Sequence, residues 1–98
     1  MSRHRLVLFG RQYCGLCEHA KEVILGVRAK VPFEFDEVDI DKAKDRQWLR
    51  KYMFDVPVVH VNGAEVFRHR VEPAELERAL RAAQTALPPT ERPADGSK

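Results

Sequence analysis

Apolar and polar positions along the chain fall into short blocks, and each block predicts an element. Leu6, Val7, Leu8 and Phe9 form an unbroken apolar run. Such a run is expected of a central strand buried on both faces. Leu16, Ala20, Val23, Ile24, Val27 and Val31 then recur at helical spacing. Gly26 weakens that helix slightly, and Pro32 ends it by disfavouring helical backbone at Val31. Residues 33–40 predict a second strand whose phase slips: Phe33 and Phe35 take one parity, Val38 and Ile40 the other. The slip predicts a bulge, or a strand that starts after Phe33. Asp39 and Asp41 offer N-caps for a second helix. Its buried face carries Trp48, Leu49, Tyr52 and Met53, and residues 42–46 form its solvated face.

The strongest local signal is Asn62-Gly63 between two β-rich runs, 58–61 and 64–69. Asn-Gly is the preferred two-residue hairpin turn. It predicts a register in which Val61 faces Ala64, His60 faces Glu65, Val59 faces Val66 and Val58 faces Phe67. Pro73 stands where the first position of a last helix is expected, and Leu76, Ala79, Leu80, Ala83 and Leu87 form its stripe. Residues 1–87 thus read as one domain. Residues 88–98 are polar and carry Pro, Gly and Ser, so they read as a disordered tail. The order is βαβαββα. Its first half is a right-handed βαβ unit with parallel strands, and the hairpin adds an antiparallel pair. Helices 1 and 3 are expected on one face of a four-stranded mixed sheet and helix 2 on the other.

Composition narrows the function. The chain has 98 residues and a formal net charge of +2, with both signs interspersed. That balance gives no case for nucleic acid. No apolar run reaches the length of a membrane span, and the four-residue run behind Arg3 and Arg5 is too short for a signal-peptide core. The expected setting is the cytoplasm, where a structural disulfide would be unusual.

The chemistry then centres on the only two cysteines, Cys14 and Cys17. They stand where the first strand runs into the first helix. A helix N-terminus offers unpaired N–H groups and a partial positive charge, which stabilise a thiolate. Arg11 adds a cation nearby, and Glu18 partly offsets it. This points to a dithiol–disulfide couple with Cys14 attacking and Cys17 resolving. Tyr13 has two open roles, shielding the sulfur and packing on a substrate, or packing within its loop. Pro57 opens the third strand, and its bond can be cis or trans on the residues alone. His4 and His69 read as surface residues, His19 as an exposed helical one, and His60 as the cross-strand partner of Glu65. A metal at Asp39 and Asp41 lacks further carboxylates at suitable spacing. Zinc lacks a four-ligand set, so no metal site is assigned.

These residues carry a family resemblance. Cys14-Gly15-Leu16-Cys17-Glu18-His19-Ala20-Lys21, Val38-Asp39-Ile40-Asp41, Phe54-Asp55-Val56-Pro57-Val58 and His69-Arg70-Val71 together resemble the small glutaredoxin-like proteins of the thioredoxin-fold superfamily. The resemblance implies a cis Pro57, with the backbone N–H and C=O of Val56 free to hold an extended peptide beside Cys14. It implies a thiol–disulfide oxidoreductase with disulfide-bearing protein or peptide substrates, no bound cofactor and a monomeric state. Glutathione is a candidate co-substrate, and glutathione or a thioredoxin-reductase-type protein is the reductant. Arg11, Tyr13, Val56, Pro57 and Arg70 become candidate substrate-binding residues. The alternatives are an iron–sulfur cluster shared between two chains, or a non-enzymatic interaction module.

Two departures stand out. The pair between the cysteines is Gly15-Leu16 where glutaredoxins usually carry Pro-Tyr. The last strand–helix turn reads His69-Arg70-Val71-Glu72-Pro73, without the Gly-Gly pair that grips glutathione. Val71 puts a β-branched side chain there, and Glu72 adds like charge near the ligand's carboxylate. Weak glutathione chemistry is therefore expected.

Overall fold

The computed structural model describes residues 4–85. The predicted tail and Leu87 lie outside the described residues. The elements run β1 (Arg5–Gly10), α1 (Gly15–Arg28), β2 (Glu34–Asp39), α2 (Gln47–Tyr52), β3 (Val58–Val61), β4 (Ala64–Arg68) and α3 (Pro73–Thr85). They form one four-stranded sheet in the order β2-β1-β3-β4. β1 pairs parallel with β2 and antiparallel with β3, and β3 pairs antiparallel with β4. β1 is thus central, which is why its apolar run has no polar face.

Both faces of the sheet are covered. On one, Leu6, Leu8 and Val59 pack with Ala20, Ile24 and Val27 of α1 and Leu76 and Leu80 of α3. On the other, Phe9, Ile40 and Val58 pack with Tyr52 of α2, and half-buried Trp48, Leu49 and Met53 close around them. This explains the phase slip in β2. Phe33 and Phe35 belong to the first face, Val38 and Ile40 to the second. The ladder from Arg5↔Glu34 to Gly10↔Asp39 is continuous, so there is no bulge, and the strand simply starts after Phe33.

Four expectations are corrected. The hairpin keeps Val61↔Ala64 and His60↔Glu65, but a bulge follows, so Val59 faces Phe67 and Val58 faces Arg68. An extra residue at a bulge shifts all later pairs by one. Asn62 and Gly63 both adopt positive φ, as the predicted turn requires. The second helix starts later than its aspartates suggested. Asp39 Oδ1 accepts from the N–H of Asp41, and Asp45 Oδ1 accepts from that of Gln47. Residues 42–46 are therefore turn, not helix face. Leu16 leaves the α1 stripe and is 55% exposed, because the first helical turn projects past the core. His4 is buried, with Nδ1 3.2 Å from Asn62 Nδ2.

Candidate active site

The end of β1 and the start of β3 are neighbours, with Phe9 opposite Val58. The loops beyond them, 11–14 and 53–57, therefore share one end of the sheet. Cys14 is the N-cap of α1, with φ −114° and ψ 108°. Its Sγ accepts from the backbone N–H of Cys17 at 3.2 Å, and its carbonyl accepts from Glu18 at 3.1 Å. The sulfur thus does the work of a capping oxygen. Cys14 is half-buried, whereas Cys17 is 6% exposed. The two thiols differ in access.

Tyr13 precedes the pair with φ +60°, a left-handed backbone that costs a non-glycine residue about 1–2 kcal/mol. Its ring is 98% exposed, so it does not pack within its loop. The opposite loop carries a counterpart that sequence reasoning missed: Phe54, 85% exposed. An aromatic three residues before Pro57 was the available signal. Leu16, 55% exposed at the start of α1, is a third exposed apolar side chain at this end of the sheet.

The Val56–Pro57 bond is cis. The carbonyl of Pro57 accepts from the N–H of His69 at 2.7 Å. Among the described residues, the backbone N–H and C=O of Val56 carry no hydrogen bond. Asp55 anchors this loop, accepting from Arg68 at 2.9 Å and lying 3.0 Å from His69 Nε2.

Arg11 is committed elsewhere than expected. Its Nε and Nη2 donate to the two carboxylate oxygens of Asp41, each at 2.9 Å, and its Nη1 donates to the carbonyl of Met53 at 3.2 Å. The hydrogen bond from Arg11 holds the Asp41 carboxyl below its usual range, and the same bond raises the guanidinium. Arg11 is therefore a strut between three loops, with its charge matched. Arg70 is more exposed, 76% at its side chain, and pairs loosely with Glu72 Oε2 at 3.7 Å. Val71 is buried in the α1–α3 core and does not point into the site. The β-branched side chain expected to crowd glutathione is therefore in the core instead. The missing glycine pair and the Glu72 charge remain.

A groove of about 610 Å³ runs between α1 and β2 behind Cys17, lined by Gly10, Glu18, Lys21 and Asp39 among others. Lys21 Nζ lies 3.0 Å from Glu37 Oε1 there. Among the described residues, no group of three or more His, Cys, Asp or Glu could hold a metal ion. No helix among them is long and apolar enough to cross a membrane.

The chain resembles known proteins in sequence and in fold. A "Glutaredoxin-like protein YDR286C homolog" from Dictyostelium discoideum is 38% identical over 72 residues, 69% of this chain and 67% of that one. A solved structure from X. campestris, target protein XcR50, superposes with a TM-score of 0.65 at 29% identity, covering 79% of this chain and 96% of that one. Chloroplastic thioredoxin z superposes with a TM-score of 0.72 at 12% identity, covering 85% and 80%, a likeness of fold alone. The family model for the glutaredoxin-like domain (DUF836) matches residues 5–81. That span takes in both loops of the site and nearly all of the described fold, and the chain belongs to the glutaredoxin-like family.

Proposed function

We propose that the protein is a thiol–disulfide oxidoreductase of the cytoplasm, acting as a monomer on polypeptide disulfides and only weakly on glutathione mixed disulfides. One observation carries this reading: a half-buried Cys14 whose sulfur caps α1, three residues before a buried Cys17. Cap hydrogen bonding and the helix N-terminus both favour a thiolate over a thiol. That thiolate attacks a substrate disulfide, forming a mixed disulfide and expelling one substrate thiolate. Cys17 then attacks the Cys14 sulfur and expels the second. The substrate gains two electrons, and the protein holds a Cys14–Cys17 disulfide. Glutathione or a thioredoxin-reductase-type partner returns the dithiol.

The preference for polypeptides rests on the rim. Tyr13, Leu16 and Phe54 offer apolar surface, and the unpaired Val56 backbone suits an extended chain. For glutathione, an anion, the balance is poorer. Of the two candidate arginines, Arg11 is matched by Asp41, and exposed Arg70 has Glu72 3.7 Å away. Losing a pair of charge-assisted hydrogen bonds amounts to roughly 3 kcal/mol, or about a hundredfold in affinity.

The test compares turnover on a protein disulfide with turnover on a glutathionylated small thiol. The expected result is activity on the first and about a hundredfold less on the second. Cys14→Ser should be inactive, and Cys17→Ser should trap a mixed disulfide at Cys14. A Cys14→Ser variant that keeps activity would sink the mechanism. Ordinary glutaredoxin-level turnover on the small substrate would sink the preference. A visible sulfur-to-iron band after anaerobic purification would favour the cluster carrier.

A further inference from the structure

We infer that Gly10 is a positioning residue for Cys17, and that its missing side chain sets how fast the second cysteine closes on the first. This rests on the oxidoreductase reading above. Gly10 ends the central strand and is buried. A β-carbon built there would lie 3.2 Å from Cys17 Sγ and 3.3 Å from Cys17 Cβ. Both distances are tighter than ordinary van der Waals contact. Cys17 thus rests on the bare backbone of β1.

Backbone conformation does not account for the glycine. Among the described glycines only Gly63 has positive φ, so alanine could adopt the geometry at Gly10. A glycine in a strand costs stability relative to alanine, because it loses more backbone freedom on folding. What the glycine provides here is room for sulfur. The strand cannot easily yield that room in another way. Gly10 pairs with Asp39, and its carbonyl accepts from the N–H of Ile40 at 3.0 Å. With β1 held, an added methyl group must push Cys17. The Cys17 N–H that caps Cys14 Sγ belongs to the backbone of α1, whereas the crowded atoms are Cys17 Cβ and Sγ, so the push shifts the attacking sulfur relative to Cys14. The first chemical step does not involve the Cys17 sulfur and is untouched. The second is an in-line attack of Cys17 on the Cys14 sulfur, and it depends on tenths of an ångström.

The experiment separates the two steps with a nitrobenzoate disulfide reagent, in the reduced full-length protein. Attack by Cys14 forms the mixed disulfide and expels one coloured thiolate. Attack by Cys17 forms the Cys14–Cys17 bond and expels a second. In Gly10→Ala the first release should keep its rate, and the second should slow by about three- to tenfold, the scale of a sub-ångström misplacement. Gly26→Ala is the control, because a β-carbon at Gly26 meets nothing within 4 Å. It should change neither phase. Unchanged second release in Gly10→Ala overturns the inference. A wild-type protein that gives no second release overturns the oxidoreductase reading instead.

A second measurement covers a poorly folded variant. Thermal unfolding of Gly10→Ala, Cys17→Ala and the double variant forms a cycle. Gly10→Ala should be better tolerated when Cys17 is already alanine. Additive effects, or equal misfolding in both backgrounds, would show that Gly10 serves something other than Cys17.

Discussion

The two faces of the sheet are built from different chemistry. The face under α1 and α3 is mainly aliphatic: leucine, isoleucine, valine and Ala20, with Phe33 buried among them and Phe35 and Phe67 packed against them. The face under α2 is aromatic and partly polar. Phe9, Trp48, Tyr52 and His60 meet there with ring centroids 4.7 to 6.2 Å apart. Tyr52 Oη lies 2.9 Å from His60 Nε2, and Arg68 and Lys51 each sit 5.6 Å from the Tyr52 ring centroid. Aliphatic packing is non-directional and supplies stability wherever shape fits. Hydrogen bonds and ring contacts have preferred directions, so they fix where a loop goes. α2 spans only Gln47–Tyr52 and could bury little on its own. Its face instead carries the struts of the site: Arg11 to Asp41 and Met53, and Asp55 to Arg68 and His69. The aliphatic face holds the fold together, and the aromatic face aims the two loops.

Three changes probe that division, taken from the largest effect to the smallest. Ile24→Ala empties a fully buried site on the aliphatic face. It should cost about 2–5 kcal/mol in denaturant unfolding. Alkylation of Cys14 in the folded protein should keep its rate. A large change in that rate would mean that the aliphatic face also aims the cysteine loop.

On the aromatic face the effect is smaller and depends on pH. Burial lowers the His60 pKa from 6.5; nearby Glu65 opposes this, and Lys51 adds to it. A histidine lowered in the folded state binds fewer protons than in the unfolded chain. Its contribution is therefore complete above about pH 6.5 and is lost as pH falls below that value. His60→Gln keeps an acceptor for the Tyr52 hydroxyl and cannot titrate. Unfolding measured between about pH 7 and 5 should fall more steeply in the wild type than in the variant. Parallel curves would place the acid sensitivity elsewhere.

The smallest effect is at the strut. The Arg11–Asp41 pair is solvent-exposed, with side chains 35% and 40% accessible, so Asp41→Asn should barely change stability. It should, however, release Arg11 toward an anionic ligand. Glutathione-linked turnover should rise by about twofold, the scale of one exposed ion pair. A fall in turnover on both substrates would show that the strut's role is to place the loops, with its charge immaterial.

Much of this protein was legible from neighbours along the chain. The buried central strand, the Asn62-Gly63 turn and the Pro73 helix start each follow from local rules, because backbone sterics and periodicity act over a few residues. The cysteine pair at a strand–helix junction was legible for the same reason. The bulge between Val59 and His60 was not, since turn residues fix only the pairs beside them. Nor was the fate of Arg11. Its carboxylate partner lies thirty residues away, and a sequence shows that a charge exists without showing what neutralises it. Phe54 and Val71 are the sharpest pair. Both are apolar and near the site, yet one stands in water and the other in the core. Likewise, Gly10 reads in sequence as a strand-ending glycine, and only the folded chain lays the Cys17 sulfur against it. Local geometry is set by covalent neighbours; which side chain meets which is set by how the sheet and helices stack, and that is decided by the whole chain at once.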